Sequence, residues 1–277
     1  MSSMSVPTIT LNTGSDMPQL GFGVFQVPPD ETAQAVTTAF EVGYRSIDTA
    51  AMYGNEEGVG RAIASSGLPR EELFITTKLN NNAHGYDNAL RAFEQSRAKL
   101  GLDYVDLYLI HWPLPAKDAY VDTWKALVTL QQDGLIRSVG VSNFQPKHLE
   151  RIIDATGVTP ALNQIELHPY LTQEALREFD REHGIATEAW SPIAQGGVLD
   201  DPVITSLAEK YGKSPAQITL RWHIEIGNVV IPKSVTPSRI RENFELFDFE
   251  LDPDDVVAID KLNKDERTGP DPDHFNP

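Results

Sequence analysis

The chain has 277 residues, 40% hydrophobic and 23% charged, a size and balance ordinary for a globular protein and within the range of one large α/β barrel. It contains no cysteine, which excludes disulfides, thiolate metal sites and thiol catalysis. Forty acidic against 23 basic residues leave a net charge of −17, which argues against broad nucleic-acid binding and obliges any anionic ligand to find a local cationic pocket.

The first stretch, MSSMSVPTITLN, is polar and lacks the charged-then-apolar order of a signal peptide, so a cytoplasmic location is expected. No segment approaches the roughly eighteen uninterrupted apolar residues of a spanning helix, so no membrane partner is expected. SVPTITL and DMPQLGFG flank the turn Asn12-Thr13-Gly14-Ser15 and predict a β-hairpin. A strand-then-helix rhythm follows, with strand ends predicted near Gly23, Asp48, Lys78, His111, Ser142, Gln164, Trp190 and Pro232. Between them lie amphipathic segments such as ETAQAVTTAFEVG, DNALRAFEQSRAKLG and TQEALREFDREHG, several opened by acids and closed by glycine. Only the last interval is stretched beyond one βα unit.

Eight such units, with runs such as LYLI and VVIP apolar on both faces, predict an α/β fold of (β/α)8 TIM-barrel type with an N-terminal hairpin. A doubly wound sheet is the competing architecture, but its dinucleotide fingerprint fails: after Gly21-Phe22-Gly23 the third glycine is replaced by Gln26. No composition shift divides the chain, so one domain over residues 1–277 is expected, with an irregular tail from about residue 264, KDERTGPDPDHFNP.

Three apolar runs each end in one ionisable residue: Asp48, Lys78 and His111, with Tyr53 five residues past the first. A carbonyl accepts hydride only if its oxygen is protonated or strongly polarised as charge develops. A tyrosine beside an ammonium is drawn toward phenolate and becomes a readier proton donor, and the ammonium needs a carboxylate to survive burial. Asp48 beside Lys78 beside Tyr53 meets that chain of requirements, with His111 placed to orient the carbonyl. Read structurally, the same residues are a buried ion pair with an aromatic and an imidazole packed nearby. Their convergence on the C-terminal ends of successive strands favours function. Independently, Lys233, Ser234, Thr236, Pro237 and Arg239 follow an apolar strand and bring together two cations, a hydroxyl and a helix start, as an anion site would; helix capping with solvated bases explains any one of them equally well.

DTAAMYGNE, ITTKL, LYLIHWP, GVSNF, NQIELHP, EAWSPI and IPKS, in that order, resemble the aldo-keto reductase family over nearly the whole chain. GFGVFQVPP, AAMYGNEEGVG, ATGVTPALNQIELHP and ENFELFDFEL are most similar to bacterial 2,5-diketo-D-gluconic acid reductases. The resemblance implies NADPH-dependent reduction of a carbonyl, with Tyr53 as proton donor, Lys78 and Asp48 tuning it, and His111 positioning substrate. It implies Lys233, Ser234 and Arg239 at the 2′-phosphate of NADPH and Asn243 near the adenine. It further implies Ser142, Asn143 and Gln164 at the nicotinamide amide, Trp190 stacked on the ring, and a loop from Ser191 to Val198 over the pyrophosphate. The resemblance implies a small-molecule carbonyl substrate, and Phe25, Trp112 and His111, with Asn80 and the tail near His274, are expected to line its pocket. Many similar reductases carry tryptophan where this chain has Asn80, so a smaller, more polar wall is expected. A monomer is expected from the family.

The remaining histidines, His84, His148, His168, His183 and His223, lack metal-ligand spacing, and no metal is expected; Asp252, Asp254 and Asp255 open a late helix. Two other functions compete: an NADPH-binding redox-sensing module with little turnover, and a phosphate-handling isomerase or aldolase using Lys78 as a Schiff base.

Overall fold

A computed structural model describes residues 5–277; Met1 to Met4, which open the polar N-terminal stretch and the expected domain span, lie outside the described residues. The predicted hairpin is present. Strands β1 (Thr8–Thr10) and β2 (Asp16–Pro18) pair antiparallel, Thr8 opposite Pro18. Leu11 and Met17 of this hairpin are buried against Phe74, Leu107, Leu162 and Val229, at or near the starts of barrel strands. The hairpin therefore plugs the N-terminal end of the barrel, and any site must lie at the other end.

Eight strands follow: β3 (Phe22–Gly23), β4 (Ser46–Asp48), β5 (Phe74–Leu79), β6 (Val105–Ile110), β7 (Ile136–Ser142), β8 (Leu162–Glu166), β9 (Ala186–Trp190) and β10 (Val229–Val230). Each pairs parallel with the next in chain order. The ring closes where Val230 N–H donates to the Gln19 carbonyl at 3.0 Å, Gly21 N–H to Val230 at 2.9 Å and Gly23 N–H to Pro232 at 3.1 Å. Gly140 sits where a Cβ would fall 2.7 Å from both Leu109 and the Leu162 carbonyl, so only glycine lets β6, β7 and β8 pack this closely.

Helices α1 (Pro29–Val42), α2 (Glu56–Ser65), α3 (Tyr86–Leu100), α4 (Tyr120–Gln132), α5 (Pro146–Thr156) and α6 (Glu174–Glu182) connect successive strands on the outside. The stretched last interval holds two helices, α7 (Pro202–Tyr211) and α8 (Pro215–Glu225). Proline in the first turn and a side-chain cap start each: Asp201 accepts from Val203 N–H at 2.9 Å, and Ser214 and Gln217 cap reciprocally. Helices α9 (Pro237–Glu242) and α10 (Pro253–Asp260) follow β10. The tail after residue 264 has no helix or strand and crosses the C-terminal face of the barrel. Predicted strand ends fall within two residues of those observed. Among the described residues no helix is long and apolar enough to cross a membrane.

Candidate active site

The four residues singled out at the strand ends converge. Lys78, from β5, is completely buried, and its Nζ donates to Asp48 Oδ1 at 2.6 Å, to the Thr49 carbonyl at 3.0 Å and to Tyr53 Oη at 3.2 Å. An ammonium has donors only, so the phenol oxygen accepts from Lys78 and its own O–H is left to point elsewhere. Three oxygens satisfy all three ammonium protons, which is how a charge persists here. Burial works to neutralise Lys78, but Asp48 and Tyr53 outweigh it and raise its pKa. The His111 ring packs edge-on against Tyr53, centroids 5.8 Å apart. Burial, helped by Lys78, holds His111 well below the ordinary imidazole range, so it is neutral, and its Nδ1 has no partner among the described residues.

The expectation of an unusually acidic phenol is not met. Burial pushes the Tyr53 phenol up; Lys78 pulls it down, but Asp48 and Glu188 push up again, and the net direction is upward. The physical reason is burial, which disfavours the phenolate; Lys78 opposes it, and the negative charges of Asp48 and Glu188 add to it. Tyr53 therefore rests as a fully protonated phenol.

Beneath the tetrad lies a group that opens the motif EAWSPI but is given no role by it, Glu188. Gln164 Nε2 donates to Asp48 Oδ2 at 2.8 Å and also to Glu188 Oε1. Gln164 and Glu188 are register partners on β8 and β9. Glu188 is buried, and burial and then Asp48 push its carboxyl up to about 8. An acid in the middle of the strand segment IATEAW, at a position facing the barrel interior, was the available signal.

The rim amides form a network of their own. Ser142 Oγ–H donates to the Gln164 carbonyl at 2.8 Å, and Asn143 Nδ2 donates to the His111 carbonyl at 3.0 Å. Asn143 has φ +63° and accepts from Trp190 Nε1 at 2.8 Å. Half-buried Trp190 meets Trp112 edge-on at 6.4 Å and is followed by Ser191 at φ +50°, where the chain leaves the strand. Lys233 and Arg239 are exposed on either side of the β10–α9 connection, and among the described residues neither makes an ion pair; Ser234 is buried between them, and Asn243 caps the end of α9.

On the substrate side, Phe25 is 52% exposed and packs 5.1 Å from the Tyr53 ring. Trp112 is buried under Phe275, 4.4 Å away. The tail contact is thus Phe275, whereas His274 points outward and pairs with Asp271 at 3.1 Å. Asn80 is half-buried, and its side-chain carbonyl accepts from Asn81 N–H at 2.7 Å.

With this geometry in place, comparison with known proteins is decisive. Residues 18–264 match the aldo/keto reductase family. The chain belongs to the aldo/keto reductase family. It is 58% identical to methylglyoxal reductase DkgA of Escherichia coli strain K12 over 98% of this chain and 99% of that one. It is 58% identical to the aldo/keto reductase of Brucella melitensis, whose crystal structure superposes with a TM-score of 0.92 over 95% of this chain and 100% of that one. A variant of Gox0644 solved in complex with NADPH is 51% identical, with a TM-score of 0.95 over 98% of this chain and 99% of that one.

In this aldo/keto reductase the tail is held by Glu166, at the end of β8. Its carboxylate accepts from the Thr268 N–H and Oγ–H at 2.5 and 2.7 Å, from Gly269 N–H at 3.0 Å, and shares a hydrogen bond with His168 Nε2 at 3.0 Å. Burial pushes Glu166 up, but these donors prevail and hold it below the usual carboxylate range. A Cβ on Gly269 would sit 2.5 Å from the Trp190 ring, so glycine lets the tail lie on that indole. Of the other histidines, His84, His148, His168 and His223 are buried, and His183 is exposed.

Proposed function

We propose that this aldo/keto reductase reduces aldehydes or ketones to alcohols with NADPH, taking compact substrates such as methylglyoxal or keto-sugar acids. The observation that carries the reading is the chain from buried Asp48 and Lys78 to half-buried Tyr53, at 2.6 and 3.2 Å, with the phenol O–H not engaged by Lys78 and a neutral imidazole beside it. When bound, NADPH supplies hydride to the carbonyl carbon.

The residues present fit that cofactor. Lys233 and Arg239 are cations without carboxylate partners on a protein of net charge −17, with the Ser234 hydroxyl between them, which suits a 2′-phosphate. Trp190 offers a half-buried indole bonded to Asn143, beside which Ser142 bonds to the Gln164 carbonyl. Both N–H groups of Gln164 are taken by carboxyls, so toward a carboxamide it serves as acceptor through Oε1.

His111 then holds the carbonyl oxygen, and Tyr53 gives it a proton as negative charge develops there. The nascent alkoxide is far more basic than phenolate, so a neutral phenol suffices as donor. The phenolate left behind is stabilised by Lys78, which therefore acts after the proton has begun to move rather than by acidifying the resting enzyme. Phe25 and the Trp112–Phe275 pair wall the opening with aromatic surface, suiting a small carbonyl compound.

NADPH oxidation should be followed with methylglyoxal, keto-sugar acids and aromatic aldehydes, alongside Tyr53→Phe. Turnover by the parent and a loss of about a hundredfold or more in the variant, with NADPH still bound, is the expected pair of results. A turnover-competent Tyr53→Phe removes the proton-donor assignment. Binding without turnover of any carbonyl would favour the redox-sensing module.

A further inference from the structure

We propose that Glu188 is a positioning residue for the proton donor: a neutral carboxyl that, through Gln164, keeps Asp48 turned to Lys78, and whose deprotonation slows reduction at alkaline pH. This rests on Tyr53 being the donor.

Five polar groups form one chain through the barrel: Tyr53 Oη, Lys78 Nζ, Asp48, Gln164 Nε2 and Glu188 Oε1. The terminal atom of Gln164 that lies between Asp48 and Glu188 must be nitrogen, since an oxygen there would face the Asp48 carboxylate, which has no proton to donate. Asp48 and Glu188 thus share one amide, and a change in either is felt by the other. Only one negative charge is balanced in this cluster, because Lys78 is the single cation. The groups facing Glu188 are Asp48 from β4, Lys78 from β5 and Tyr53 beyond β4; its register partners on β8 and β10, Gln164 and Val229, bear no charge. Among the described residues Glu188 Oε2 is buried with no hydrogen-bond partner, an arrangement a neutral acid tolerates far better than a carboxylate. The upward push on its carboxyl agrees with that.

The consequence for reduction follows from charge. As the phenol O–H breaks and the carbonyl oxygen takes the proton, a phenolate forms beside Lys78. With Glu188 neutral, the cluster carries Asp48, Lys78 and the incipient phenolate. With Glu188 ionised, a further negative charge opposes the phenolate and repels Asp48, so the step slows. The effect is on kcat rather than on binding of either substrate.

The test is the pH profile of kcat and of kcat/KM for the parent, Glu188→Gln and Asp180→Asn. Asp180 is a second buried acid, bound to Thr187 on the outer side of β9, whose burial pushes it up to about 8. Glutamine keeps an acceptor for Gln164 but cannot ionise. The alkaline limb of kcat should move upward by about one pH unit or more in Glu188→Gln and stay in place in Asp180→Asn. A limb that coincides with the parent's in Glu188→Gln, or that moves in Asp180→Asn alone, overturns the proposal. If Glu188→Gln does not fold, carbon NMR of the parent labelled at the glutamate carboxyls decides: one carboxyl titrating in the alkaline range supports the neutral acid, and none doing so removes it. An active Tyr53→Phe would instead strike the underlying donor assignment, whereas an inactive Tyr53→Phe with an unmoved limb in Glu188→Gln sinks only the role of Glu188.

Discussion

Asp48 and Gln164 stand on β4 and β8, four strands apart in a closed ring of eight, yet their side chains meet at 2.8 Å. The hydrogen bond crosses the barrel lumen and ties the half that carries Lys78 to the half that carries Glu188 and Trp190. It makes the ion pair a product of closure rather than of neighbouring strands alone.

Gln164→Leu removes that cross-link and leaves both carboxyls without their shared donor. Thermal or denaturant unfolding should show a loss of about 1–3 kcal/mol. A variant as stable as the parent would mean that the amide is not holding Asp48.

Lys78→Met strands Asp48 as a buried charge, and a loss of roughly 3–5 kcal/mol is expected together with loss of turnover. Adding Asp48→Asn should recover part of the stability but none of the activity. Recovery of activity in the double variant would show that Lys78 matters only for folding.

Arg239→Ala tests the anion site. The KM for NADPH should rise about tenfold or more, as the loss of one charge-assisted hydrogen bond requires, while NADH is affected within about twofold. Equal losses for the two cofactors would place the phosphate elsewhere.

Glu166→Gln replaces one carboxylate oxygen by a donor facing the Thr268 or Gly269 N–H. The tail after Glu166's anchor at Thr268 should become more open to proteolysis, and the Trp112–Phe275 contact should loosen, raising KM for carbonyl substrates. Unchanged protease sensitivity would show that the tail is held by its aromatic contacts alone.

Buried histidines that stay neutral, His223 among them, shape the pH dependence of stability on the acid side. Its Nε2–H serves the Pro192 carbonyl at 2.8 Å and its Nδ1 accepts from Asn228 at 3.2 Å, so the ring is neutral; burial lowers it to about 3. Burial also lowers His84 and His148 to about 4. Below the ordinary imidazole value of about 6.5 the unfolded chain takes up protons that the native state refuses, so stability falls as pH drops from there toward 4. Tm should decline across that window, and less steeply in His223→Gln; an identical slope in the variant would count against it.

The hairpin, the eight units and the four polar residues at strand ends were legible in the chain because each is a local pattern: alternation, helix punctuation, or one ionisable residue closing an apolar run. The same locality explains what was missed. Glu188 sits inside a strand between Thr187 and Ala189 and becomes informative only once Gln164, 24 residues earlier, lies beside it and Asp48 reaches across the lumen. The pKa direction of Tyr53 departs from expectation for a related reason, since spacing places Lys78 near the phenol but does not show that packing desolvates that phenol or that Asp48 and Glu188 oppose the ammonium. Likewise the sequence placed the tail near the pocket, and only packing decided that Phe275, not His274, faces Trp112. Sequence alone thus determined which elements form and which residue types end the strands, because those depend on contacts between near neighbours. The tertiary structure decided how charges share partners, because that depends on groups brought together from opposite sides of a closed ring.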